Sequence, residues 1–242
     1  MIPADVSLGE TYAFVTAALG ERTRILDVGC GRGALAHRLA AAGRDVTALD
    51  RSLGGTEAGT ARLVEGDFLA YRAAPVDALL FVTSLHHLYP LDAAVARAAE
   101  LLVPGGLVVA EELDIDAPDA ATAAWYYDVQ EILAAAGLFP RHHVHGSAGD
   151  EPTARWRAEH AHDPPLHPGA DMLAALGARF DVLVAERGPY LYRYLCGGLE
   201  ASPRGAAVAA EMLAAERRGI AAGRIRATGL RIVARRRNKE FE

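Results

Sequence analysis

Lysine is almost missing from this chain of 242 residues: Lys239 stands alone, and all other positive charge is arginine. A Walker-type phosphate loop and Schiff-base chemistry both need a placed lysine, so neither is expected. Cysteine is nearly as scarce. Cys30 and Cys196 lie far apart, which argues against a structural disulfide and makes a reducing cytoplasm the expected location. No run approaches the ~18–20 uninterrupted apolar residues of a membrane span, and the opening Met-Ile-Pro-Ala-Asp has neither a basic n-region nor an apolar h-region. No membrane partner is therefore expected. A net charge of −6 disfavours a polynucleotide, because phosphate neutralisation needs a basic face. The one basic run, residues 231–239, reads as a last strand passing into a solvated tail.

What is present is concentrated near the start. Ile25-Leu26-Asp27-Val28 is an apolar strand that runs into Gly29-Cys30-Gly31-Arg32-Gly33, and a helix follows at once. Glycine lets backbone approach a ligand closely and tolerates positive φ. The helix start aims free amides into the same crevice, so a nucleotide-type ligand at the carboxyl edge of a parallel sheet is indicated. The turn also satisfies the looser dinucleotide pattern G-x-G-x-x-A. Three acids separate the readings. Asp27 at the strand end would repel a pyrophosphate but attract a cationic amino-acid group. Asp50 ends the next strand, where an acid suits a ribose diol. Asp67, beside Phe68, follows a third short strand at residues 62–65 and suits an adenine.

Residues 23–112 resemble the class I S-adenosylmethionine-dependent methyltransferases. The family's first motif, D-x-G-x-G-x-G, is complete at Asp27, Gly29, Gly31 and Gly33. Its ribose ligand falls on Asp50, and the acid that meets the adenine amino group falls on Asp67. Residues 76–82 resemble its fourth strand, and residues 101–110 its Pro-Gly-Gly turn and fifth strand. The resemblance implies S-adenosylmethionine as cofactor and a Rossmann-like α/β fold, with a seven-stranded sheet whose last strand is antiparallel and with helices on both faces. It places Asp27, Gly29, Cys30, Gly31, Gly33, Asp50, Arg51, Asp67, Phe68 and Ser84 around the cofactor. Tyr12 on the first helix is a further candidate for closing that pocket.

With 51% hydrophobic residues the chain can bury one full core, and residues 1–242 read as a single domain without internal repeats. Helices are expected at 7–19, 35–42, 91–102 and 120–136, the last with Trp125, Val129, Ile132 and Leu133 on one side. The family pattern is then broken twice, at about 115–169 and 188–226. Both insertions read as parts of one lid, a segment that can also join a homodimer. The prolines between 141 and 169 read as loop. That stretch holds six histidines, His145 among them, but none at the i,i+4 helical spacing of a zinc motif, and no metal is expected.

Methyl transfer to a hydroxyl or an ammonium group also requires loss of a proton, which a placed base assists. His86 and His87 follow the fourth strand and titrate near neutral pH; spacing does not choose between them, and packing is the competing role. The D/N/S-P-P-Y/F/W motif of nucleobase-amine methylation is absent here. Glu111 and Glu112 end the fifth strand with side chains on opposite faces, so one is a candidate for binding substrate; a solvated strand end is the alternative. His145 and Trp156 are candidate acceptor contacts in the insertion. The leading expectation is methylation of an oxygen or nitrogen on a small-molecule acceptor. The alternative keeps the cofactor but uses it for a non-methylating reaction or for regulation. A nicotinamide reductase is a third reading, weakened by the lack of a Tyr-x-x-x-Lys pair.

Overall fold

The computed structural model of the chain describes residues 1–56, 58–140 and 151–237. In chain order the first elements are α1 (Pro3–Leu19), β1 (Arg24–Val28), α2 (Ala34–Ala41), β2 (Asp45–Asp50), β3 (Arg62–Glu65), β4 (Val76–Val82) and α3 (Leu91–Leu101). Then come β5 (Leu102–Leu113), α4 (Ala120–Ala135), α5 (Pro152–Glu159), α6 (Gly169–Arg179), β6 (Phe180–Gly188), α7 (Leu191–Gly198), α8 (Pro203–Ala221) and β7 (Gly229–Arg236). The chain divides into two compact units. One comprises Thr11–Leu113, His167–Glu186 and Leu230–Glu242; the other comprises Met1–Glu10, Asp114–Leu166 and Arg187–Gly229. No helix among the described residues is long and apolar enough to cross a membrane.

The first unit carries a seven-stranded sheet in the order β3-β2-β1-β4-β5-β7-β6. β1, β2, β3, β4 and β5 pair in parallel, and the mixed sheet has one antiparallel strand, as the resemblance implies. The order reverses between β1 and β4, which opens a crevice beyond their carboxyl ends. Strands covered on both faces must be apolar throughout. Ala78, Leu79, Leu80 and Phe81 of β4 are fully buried. Met172 and Leu176 of α6 and Leu91 and Val95 of α3 pack on the same core. The Pro104-Gly105-Gly106 turn lies inside β5, not after a helix: α3 stops at Leu101, and the β4–β5 register shifts between Val76 and Ala78.

The second unit is helical. Its α5 corrects the expectation of a loop after residue 141. Pro152 occupies the first turn of the helix, where its missing N–H costs nothing, and Glu151 accepts from the amides of Thr153 and Ala154. Ser202 caps α8 through the amide of Gly205, and Asp119 caps α4 through Thr122. α7 is capped from a distance. Glu216 of α8, fully buried, accepts from the amides of Tyr190, Leu191 and Tyr192 at 2.7, 3.0 and 2.9 Å. On α4 the buried face holds Tyr126, Tyr127 and Gln130, whereas Ile132 is 66% exposed.

Candidate active site

The glycine turn after β1 is fixed by its neighbours. The amides of Gly29 and Cys30 both donate to the Leu49 carbonyl of β2, at 2.8 and 3.2 Å. Gly29, Gly31 and Gly33 have φ of 71°, 54° and 82°, the left-handed region in which a side chain is strained. At Gly29 the reason is also steric, because a Cβ there would lie 2.5 Å from that of Ser84. The turn therefore brings the tip of β1 against the turn after β4. Beneath it, Asp27 is 1% exposed, and its Oδ1 has no hydrogen-bond partner among the described residues. Burial, with the Asp50 carboxylate adding to it, pushes the Asp27 carboxyl up to about 7. Burial and the same two acids push the Cys30 thiol up to about 12, which leaves it a poor nucleophile.

Asp50 closes β2 and is half-buried. Its Oδ2 accepts from the Gly31 amide at 2.8 Å and its Oδ1 from the Ser52 amide at 3.2 Å. Across a cavity of about 250 Å³ stand Phe68, Ser84 and His87, with Gly29, Asp50 and Arg51 completing much of the wall. Phe68 is buried and meets Phe81 edge-on at 5.6 Å. Asp67 lies off the wall, exposed, and pairs with Arg51 at 3.3 Å. Asp27, Cys30, Gly31 and Gly33 also lie outside the lining. Gly33 starts α2, and Gly31 contributes through its bond to Asp50. Tyr12 lies under the Arg38 guanidinium, 4.1 Å from its ring centre.

The turn after β4 separates the two histidines. Thr83 sits at φ 57°, a strained conformation for a β-branched residue. It is held by its amide bond to the Glu111 carbonyl at 2.9 Å. Glu112, with no exposed surface, accepts from the amides of Ser84 and Leu85 at 3.1 and 2.8 Å, and its other oxygen bonds His86 Nδ1. His86 is buried and off the cavity wall. His87 is exposed and on it, its ring centre 4.2 Å from that of His86. His167 fastens the same turn from its far end: its amide donates to the His86 carbonyl and its Nε2 to the Leu88 carbonyl, both at 3.0 Å. Its ring stacks on Tyr89 at 3.9 Å. The sequence offers His167 only as a lid residue without an assigned role, because its partners lie 78–81 residues away.

Glu111 turns to other partners. Its oxygens accept from the Thr11 hydroxyl at 2.5 Å and from Arg231 Nε at 2.7 Å. Neither glutamate lines the cavity. Trp156 belongs to the helical unit, where its indole N–H donates to the Ile115 carbonyl at 2.9 Å and its ring stacks on His160 at 3.8 Å. His145 falls outside the described residues. No group of three His, Cys, Asp or Glu among the described residues is placed to hold a metal ion.

This geometry can be set beside known proteins. The solved cyclase SpnF is 20% identical, over 94% of this chain and 80% of its own, with a TM-score of 0.53. The magnesium protoporphyrin IX methyltransferase of Synechocystis is 17% identical, over 98% and 84%, with a TM-score of 0.50. Both likenesses speak to the fold. A ubiquinone biosynthesis O-methyltransferase of Xylella fastidiosa is 40% identical over an alignment of 96 positions that covers 34% of this chain and 39% of that protein. The chain thus spans about two-fifths of the length of the curated relatives it matches. The model of the family described as methyltransferase domain matches residues 6–161. That match covers more than half of the sequence, and the chain belongs to the methyltransferase-domain family.

Proposed function

We propose that the protein transfers a methyl group from S-adenosylmethionine to an oxygen or nitrogen of a small-molecule acceptor. One observation carries this reading: Asp27 is buried beneath the glycine turn with an oxygen that nothing among the described residues satisfies. A buried polar atom without a partner is costly. An ammonium group at the turn would satisfy it and stabilise its charge. The other residues fit the nucleoside part. Asp50 keeps acceptor capacity on both oxygens beside its two amide bonds, as a vicinal diol requires, and Phe68 offers an apolar wall for a base. The cavity, about 250 Å³, is below the usual ~300–1,000 Å³ of ligand pockets, so it suits the nucleoside part of the cofactor.

S-adenosylmethionine supplies a methyl group already activated on a positive sulfur. The chain's part is then to orient, to exclude water and to move one proton. His87 is the group on the wall that can take a proton from an acceptor hydroxyl or ammonium. His86, bonded to Glu112, holds the turn that presents His87 and acts as a positioning residue. The test is calorimetric titration with S-adenosylhomocysteine, followed by turnover with a panel of phenols and amines read by mass spectrometry. Binding, with methylated product from at least one acceptor, is expected. Failure to bind at millimolar concentration would refute the reading.

A further inference from the structure

In the helical unit, α4 packs on α5 and α7 packs on α8. Between α4 and α8 runs a trough of about 530 Å³. Trp125, Val129 and Leu133 of α4 form one wall, at the i, i+4, i+8 spacing of a single helix face. Val208 and Met212 of α8 form the other. This is the stripe that the periodicity of α4 marked, without the exposed Ile132; Leu133 is shared with the buried face of Tyr126 and Gln130, while Trp125 and Val129 are partly exposed. Its polar wall residues include Arg204, Arg218 and Glu211. The two arginines lie at opposite ends of α8, about 21 Å apart at ~1.5 Å per residue, with Glu211 midway.

Neither guanidinium is ion-paired among the described residues. Their neighbours behave differently: Arg217 pairs with Glu10 at 2.5 Å and Arg226 with Asp119 at 2.9 Å. We propose that the trough binds a monomeric long-chain fatty acid, an alkyl chain that ends in a carboxylate. The chain lies on the apolar walls, and the anionic head takes Arg204 or Arg218. A planar guanidinium engages a carboxylate through two parallel hydrogen bonds. Charge argues against a second copy of the chain as occupant. A two-fold related copy would bring four of these guanidiniums to the interface with only two Glu211 carboxylates, and like charges there oppose association.

The test uses Trp125, one of two tryptophans in the chain. The other, Trp156, is 3% exposed within the aromatic cluster and is not among the residues that line the trough. Titration with 9,10-dibromostearate is expected to quench the wild-type protein saturably, to be reversed by oleate, and to leave Trp125→Phe unquenched. Oleyl alcohol, which lacks the charge, should compete about tenfold more weakly. Whichever of Arg204→Gln and Arg218→Gln removes the partner of the head should cost about tenfold in oleate affinity while the other costs little, and the double variant should lose the preference for the acid over the alcohol. Affinity for S-adenosylhomocysteine, measured on each variant, should stay unchanged, which separates this site from the proposed reaction. Quenching that persists in Trp125→Phe would overturn the proposal. So would equal competition by acid and alcohol, binding only to phosphatidylglycerol vesicles, or a dimer by sedimentation velocity that Val208→Asp dissociates.

Discussion

Because the Asp27 carboxyl titrates near neutrality, ligand binding should be coupled to a proton. Displacement from 3.8 to about 7 corresponds to about 4 kcal/mol in favour of the neutral form. The sign follows from the direction. The unfolded carboxyl ionises first, so the folded state holds the extra proton between pH 4 and 7. Its stabilising contribution is complete below pH 4 and disappears as pH rises to 7. An ammonium group at the turn needs the charged carboxylate, so binding below pH 7 must expel that proton. At pH 6 about nine-tenths of a proton should be released per S-adenosylhomocysteine bound, and at pH 8 about one-tenth, with apparent affinity about tenfold weaker at pH 6. Calorimetry in buffers of different ionisation enthalpy counts these protons. Asp27→Asn should release none at either pH and lose the pH dependence. An equal proton count at pH 6 and pH 8, or one unchanged in Asp27→Asn, would show that no cation meets this carboxylate.

Three further perturbations test the site and the frame around it. Asp50→Ala removes the acceptor of the Gly31 and Ser52 amides together with the proposed ribose contact. S-adenosylhomocysteine affinity should fall by about a hundredfold or more, about 3 kcal/mol for charged hydrogen bonds; a loss under threefold by calorimetry speaks against that role. His87→Ala should lower kcat by about 10²–10⁴, with S-adenosylhomocysteine affinity held within about twofold. An unchanged kcat on the preferred acceptor would remove His87 as the base. Glu216→Ala strands three amides at the start of α7 and should destabilise by about 3 kcal/mol or more, read as the unfolding midpoint in urea. Glu216→Gln, which keeps one acceptor oxygen, should lose less, and equal losses would argue that packing and not capping sets the effect.

What could be read from the sequence was local. The D-x-G-x-G-x-G turn and the acid at the tip of β2 each depend on a strand and the few residues after it, so spacing alone placed Gly29 and Asp50 at one crevice. Proline misled where its position in an element mattered more than its presence. Pro152 reads as a breaker, yet with Glu151 before it the pair starts α5. The choice between His86 and His87 was invisible for a different reason. Both lie in one short turn, and the difference between them is a carboxylate on the neighbouring strand. Glu112 claims the imidazole of His86 and two amides of the same turn, which leaves His87 as the one on the cavity wall. Alternation along β5 foretold that Glu111 and Glu112 would part. It could not say that Arg231, 120 residues later, would occupy the first and a turn 26 residues earlier the second. Placement in this site is thus set by strand pairing, which acts at separations that periodicity does not record.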